Sequence, residues 1–126
     1  MATDPTKATQ DKFKNQDLRT MWRTMKTKAI NDFKARDPEG AKKLSGEFDK
    51  GLGPLLDKWD QETAKWPKYD AKKLGDIGKQ VANVIEEYKK AGHIPGGKEN
   101  LIIQGALNGI AGEMTRRLKW YNNPTL

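Results

Sequence analysis

The stretch DAKKLGDIGKQVANVIEEY, residues 70–88, decides the fold class. Its apolar residues Leu74, Ile77, Val81, Val84, Ile85 and Tyr88 recur at three- and four-residue steps, which places them on one face of an amphipathic helix. Asp70 stands where an N-cap belongs. Gly92 stands where a left-handed C-terminal residue belongs, with Ile94 placed to fold back beneath the helix.

Outward from this helix the same period continues. Towards the C-terminus, His93-Ile94-Pro95-Gly96-Gly97 reads as a loop into a helix from about Lys98 to Tyr121, with Ile103, Leu107, Ile110, Met114 and Leu118 as its stripe. Towards the N-terminus, Trp66-Pro67 closes a segment whose stripe is Ala41, Leu44, Phe48, Leu55, Leu56, Trp59 and Trp66. Gly51-Leu52-Gly53-Pro54 predicts a break or kink within it, because proline removes a helical hydrogen bond and glycine weakens the helix. Asp37-Pro38 starts that segment as N-cap and first helical position. It also ends an earlier helix from about Asp11 to Arg36, striped by Leu18, Met21, Trp22, Met25, Ala29 and Phe33.

No run alternates with period two, so the expected fold is all-α. We expect a single-domain antiparallel bundle of about four helices, the second broken or kinked near Gly51–Pro54. Residues 1–8 are expected to be a flexible N-terminus, 9–122 the bundle domain and 123–126 a tail. A length of 126 residues suits one core, and four tryptophans supply bulky anchors for it.

The chain has no cysteine, which excludes disulfides and thiolate metal sites. The N-terminus has no apolar core of a secretory signal, and no apolar run is long enough to span a bilayer. A cytoplasmic protein, or one delivered by a non-Sec route, is the resulting expectation. The net charge is +7, and residues 1–37 hold nine Lys/Arg against five acids. That balance favours acidic partners.

Four features bear on chemistry. The first is a basic stripe on the opening helix, where Arg19, Arg23, Lys26 and Lys34 fall within an arc of about 80° at 100° per residue. Thr20, Thr24, Thr27 and Asn31 cover the far side. Near the C-terminus, Arg116, Arg117 and Lys119 interleave with Trp120 and Tyr121. Together these residues are the candidate binding surface, since cations hold phosphates and rings stack bases.

The second is Gly92 to Lys98, which matches a nucleotide-binding GxxxxGK. Glu99 follows in place of Ser or Thr, and a helix precedes in place of a strand, so no nucleotide site is expected. A reduced form remains, with Gly96, Gly97 and Lys98 as an anion-binding loop at the last helix's N-terminus. The third is His93, the one histidine, a candidate general acid or base. One histidine and no cysteine make a metal site unexpected, and no cofactor is expected. The acidic pairs Asp57 with Asp60 and Glu86 with Glu87 read as solvated faces.

The fourth is Asn100 to Gly112, thirteen residues without a charge, where Gly105, Gly109 and Gly112 lie opposite the apolar stripe. Three helical glycines on one face predict a close-packing face, either for a neighbouring helix that would bury the last helix on both sides, or for a partner protein or second copy, with membrane insertion as a third reading.

Three functions follow from these features. The leading one is a non-enzymatic helical interaction module docking an acidic or protein partner. Nucleic-acid backbone binding through the basic-aromatic residues is the alternative. A small metal-independent nuclease or toxin domain using His93, with Lys98 or Arg116 stabilising charge, is the third.

Overall fold

The computed structural model describes residues 5–90 and 96–122, and the regular structure among them is entirely helical. Five helices follow one another: α1 (Pro5–Asn15), α2 (Leu18–Arg36), α3 (Pro38–Thr63), α4 (Ala71–Lys90) and α5 (Lys98–Asn122). Helix α2 packs on α3 and α5, and α4 packs on the same two, which closes α2–α5 into a four-helix ring. Neighbours run antiparallel. Asp60 near the end of α3 meets the start of α2, Tyr88 near the end of α4 donates to the Glu47 carbonyl of α3, and Arg36 at the end of α2 pairs with Glu99 at the start of α5.

The stripes read from the sequence form the core. Leu18, Leu52, Leu56, Leu74, Ile103, Leu107 and Ile110 are fully buried. Trp22, Phe48 and Tyr88 make a run of edge-on aromatic contacts across α2, α3 and α4, with centroids 5.8 and 4.9 Å apart. Asp37 ends α2 and caps α3, its side chain accepting from the Gly40 N–H, with Pro38 as the first helical residue. Asp70 caps α4 by accepting from Lys72 and Lys73. The proposed stop at Gly92 and Ile94 and the tail 123–126 lie outside the described residues.

Three expectations are corrected. The opening helix is two helices, and the first begins at Pro5, inside the segment expected to be flexible. The break at Gln16–Asp17 is made by two carboxylates. Asp17 accepts from the Thr20 N–H, and Asp60 accepts from Leu18 and Arg19, each at 3.0 Å. A continuous helix would give those three N–H groups to backbone carbonyls four residues earlier.

Conversely, α3 runs through Gly51-Leu52-Gly53-Pro54 as one helix. Pro54 is exposed, so water can satisfy the carbonyl that it leaves without an N–H. The glycines serve contact here. A Cβ on Gly51 would collide with the Tyr88 hydroxyl, and one on Gly53 with the Arg19 guanidinium.

Within this chain no neighbouring helix packs along the glycines of α5. A Cβ on Gly105 or Gly112 would meet nothing within 4 Å, and both residues are exposed. Only Gly109 touches another helix, through Met25 of α2. The expected burial of α5 on both sides is therefore absent. Because neither exposed glycine has positive φ, Gly105→Ala and Gly112→Ala are each expected to stabilise the fold by about 0.5–1 kcal/mol. Urea denaturation checks this, and a loss of stability in either variant would contradict the open-face description.

Candidate functional site

A groove of 510 Å³ runs between α2 and α3. Helix α2 contributes Lys26, Thr27, Ile30, Asn31 and Lys34, and α3 contributes Pro38, Ala41, Lys42 and Ser45. The single-residue corner at Asp37 folds the two helices back on each other, which sets residues 38–45 opposite 26–34. Buried Ile30 and Ala41 form an apolar floor. Around it stand three lysines and the polar side chains of Thr27, Asn31 and Ser45, and no carboxylate belongs to the lining.

The three lysines differ in their freedom. Lys26 is 11% exposed and pairs with Asp49 at 2.5 Å, which fixes it as a wall of the groove. Lys34 and Lys42 are exposed and make no ion pair among the described residues. The groove thus keeps two uncompensated cations beside an apolar floor, a lining suited to an anionic group carried on an apolar body.

The candidate binding residues do not form one surface. Arg19 lies against Gly53 of α3, with Nη1 3.8 Å from Asp57 Oδ2. Lys26 and Lys34 line the groove, and Arg23 is exposed on the same helix. Thr27 and Asn31, assigned above to the far side of this helix, line the groove as well. Lys42 and Ser45 were missed, although the short Asp37-Pro38 corner is the signal that places them opposite the basic stripe.

The C-terminal cluster is turned inward. Arg117 is 1% exposed, donates Nε to Glu113 at 2.9 Å and lies over the Phe13 ring of α1 at 4.8 Å. Arg116 pairs with the same Glu113 and also covers Phe13. Tyr121 is buried and donates to Gln10 of α1, and Trp120 packs edge-on against Phe13. Tyr121 is core and Trp120 is half-buried with its ring engaged by Phe13 and Tyr121, while Arg116 and Lys119 stay exposed.

The anion-binding loop is described from Gly96 onward. Gly96, Gly97 and Lys98 are exposed, and Gly97 has φ 78°, a conformation that favours glycine. Glu99 itself occupies the start of α5. Its carboxyl is held below the usual range by its own backbone N–H and by Arg36, so the helix terminus already has an anion. His93 lies outside the described residues. Among the described residues, no cluster of three or more His, Asp or Glu side chains could hold a metal. No described helix is long and apolar enough to cross a membrane.

Asp60 is no solvated carboxylate. Burial raises its pKa, against the lowering by the Arg19 and Leu18 N–H groups, while Asp17 raises it further. Glu62 and Glu113 move the other way. The Asp70 N–H chiefly lowers Glu62, with help from Lys65 and Lys73, and Arg116 followed by Arg117 lowers Glu113.

A carboxyl lowered in the fold stabilises it above the unfolded pKa, and that contribution is lost as pH falls through the folded value. Asp60, raised, acts oppositely and loses its stabilising share as pH rises through its folded value. With Glu62, Glu99 and Glu113 lowered against one raised group, the melting temperature is expected to fall as pH drops below 4.5, the ordinary glutamate value. Glu62→Gln should lower stability at neutral pH and flatten this acid limb. An unchanged limb would contradict the assignment.

Compared with known protein families, characterised proteins and solved structures, the chain shows no match.

Proposed function

We propose that this chain is a non-enzymatic helical interaction module, and that it docks an acidic segment of a partner protein in the α2–α3 groove. The observation that carries the reading is the groove lining, with Lys34 and Lys42 uncompensated beside Ile30 and Ala41 and no lining carboxylate. Eight residues separate Lys26 from Lys34, which corresponds to about 12 Å along a helix. That length matches roughly two helical turns of a partner, with one apolar side chain on the floor and carboxylates towards the lysines.

Acidic protein is favoured over nucleic acid because the basic-aromatic half of a nucleic-acid surface is absorbed into α1 and α5 contacts. Calorimetric titration tests the choice with three probes: an acidic amphipathic peptide, the same peptide with Gln and Asn for its acids, and a single-stranded RNA. Saturable binding of the acidic peptide alone supports the reading. Preference for RNA, with a steep salt dependence, would replace it by backbone binding.

A further inference from the structure

Helix α1 closes one end of the four-helix ring, and its attachments share a property. Gln10 donates to the Thr63 carbonyl of α3 at 3.0 Å and accepts from the Tyr121 hydroxyl of α5 at 2.6 Å. Phe13 packs against Trp120 and Tyr121, and Arg117 Nη1 reaches the Phe13 carbonyl at 3.4 Å. All of these contacts go to α3 and α5, and none goes to α2, the helix to which α1 is joined. The end of the ring would receive the same side chains equally well from another molecule.

The joint between α1 and α2 is Gln16-Asp17, without glycine or proline. Nothing in its backbone requires a bend. The bend exists because three N–H groups have side-chain acceptors: Leu18 and Arg19 on Asp60, and Thr20 on Asp17. In a straight helix the same groups would donate to the carbonyls of Lys14, Asn15 and Gln16. The two arrangements therefore satisfy the same donors, and the apolar stripe of α2 is unaffected by the choice.

We propose that the bundle end beneath α1 is a helix-docking surface that accepts either its own α1 or the α1 of a second copy. Straightening at Gln16-Asp17 lifts Phe13 and Gln10 away from their own chain. It also uncovers Tyr121 and Arg117, which are buried with α1 in place, and the face of Trp120 that Phe13 covers. A second chain in the same state supplies the missing Phe13 and Gln10, so each site is rebuilt across the dimer. Arg117 is the part of this surface least suited to exposure to an apolar partner alone. Its buried Nη1 donates to the Phe13 carbonyl, so an occupant has to bring a backbone carbonyl to that point, as a second α1 does.

Sedimentation velocity and native mass spectrometry from micromolar to millimolar protein test this on Asp60→Ala. The variant removes the acceptors of Leu18 and Arg19, two of the three N–H groups at the bend, and leaves Asp17, Phe13, Trp120 and Tyr121 in place. A dimer at least about tenfold tighter than any formed by the parent chain is expected, and adding Phe13→Ala should return it to monomer. A folded Asp60→Ala that stays monomeric, or a dimer indifferent to Phe13→Ala, would overturn the proposal. If circular dichroism shows Asp60→Ala unfolded, a mixture of Phe13→Ala and Tyr121→Ala chains decides. Exchange predicts a heterodimer holding one intact site, and monomers alone would overturn it.

Discussion

Arg117→Ala is expected to lower the melting temperature by roughly 10–15 °C, corresponding to about 3 kcal/mol for a domain of this size. Its guanidinium is 1% exposed and does three things together: it pairs with Glu113, covers Phe13 and donates to the Phe13 carbonyl. Alanine would leave a cavity beneath α1 and take one of two donors from that carbonyl, which keeps the Gln16 N–H. Arg117→Met should cost less, because it fills the volume while Glu113 retains Arg116. Arg117→Lys should fall between the two, since it keeps the charge but loses the planar face on Phe13. Differential scanning calorimetry separates the three. Equal losses would mean that volume and geometry are irrelevant here, contrary to the contacts described.

The architecture was legible where local rules act alone. The α4 stripe, the Asp37-Pro38 corner and the Asp70 cap follow from periodicity and capping chemistry, and each is found as read. The boundary between α1 and α2 was not legible, because Asp60 lies more than forty residues from the N–H groups that it takes. The continuity of α3 through Pro54 was hidden for a related reason. Gly51 and Gly53 look like breakers until Tyr88 and Arg19 are seen against them.

The candidate site was legible by half. Lys26 and Lys34 stood out as a stripe, but a stripe becomes a groove only when α3 supplies Lys42, Ser45 and part of the floor. The C-terminal cluster misled because alternation of cations and rings describes a stacking surface and a buried Arg–aromatic cluster equally. Phe13, more than a hundred residues away from Arg117, decides between them.

The second large effect concerns the groove. Lys34→Glu combined with Lys42→Glu is expected to weaken binding of an acidic peptide about a hundredfold, since two attractive rim charges become repulsive. Folding should be unaffected, because both lysines are exposed and make no ion pair among the described residues. Lys26 is left intact because its pairing with Asp49 holds the wall. Lys72→Glu with Lys90→Glu is the control. It makes the same change in net charge on exposed positions of α4 and should weaken binding less than about threefold. Equal effects of the two pairs would mean that overall charge, and no particular groove, attracts the peptide.

The most direct measurement is backbone amide mapping by heteronuclear NMR during titration with an acidic amphipathic peptide. Docking in the groove predicts saturable shifts concentrated at Thr27, Ile30, Asn31, Lys34, Ala41, Lys42 and Ser45, with α4 and the last turns of α5 unmoved. Shifts centred on α5, or scattered over every basic residue without saturation, would contradict docking in the α2–α3 groove.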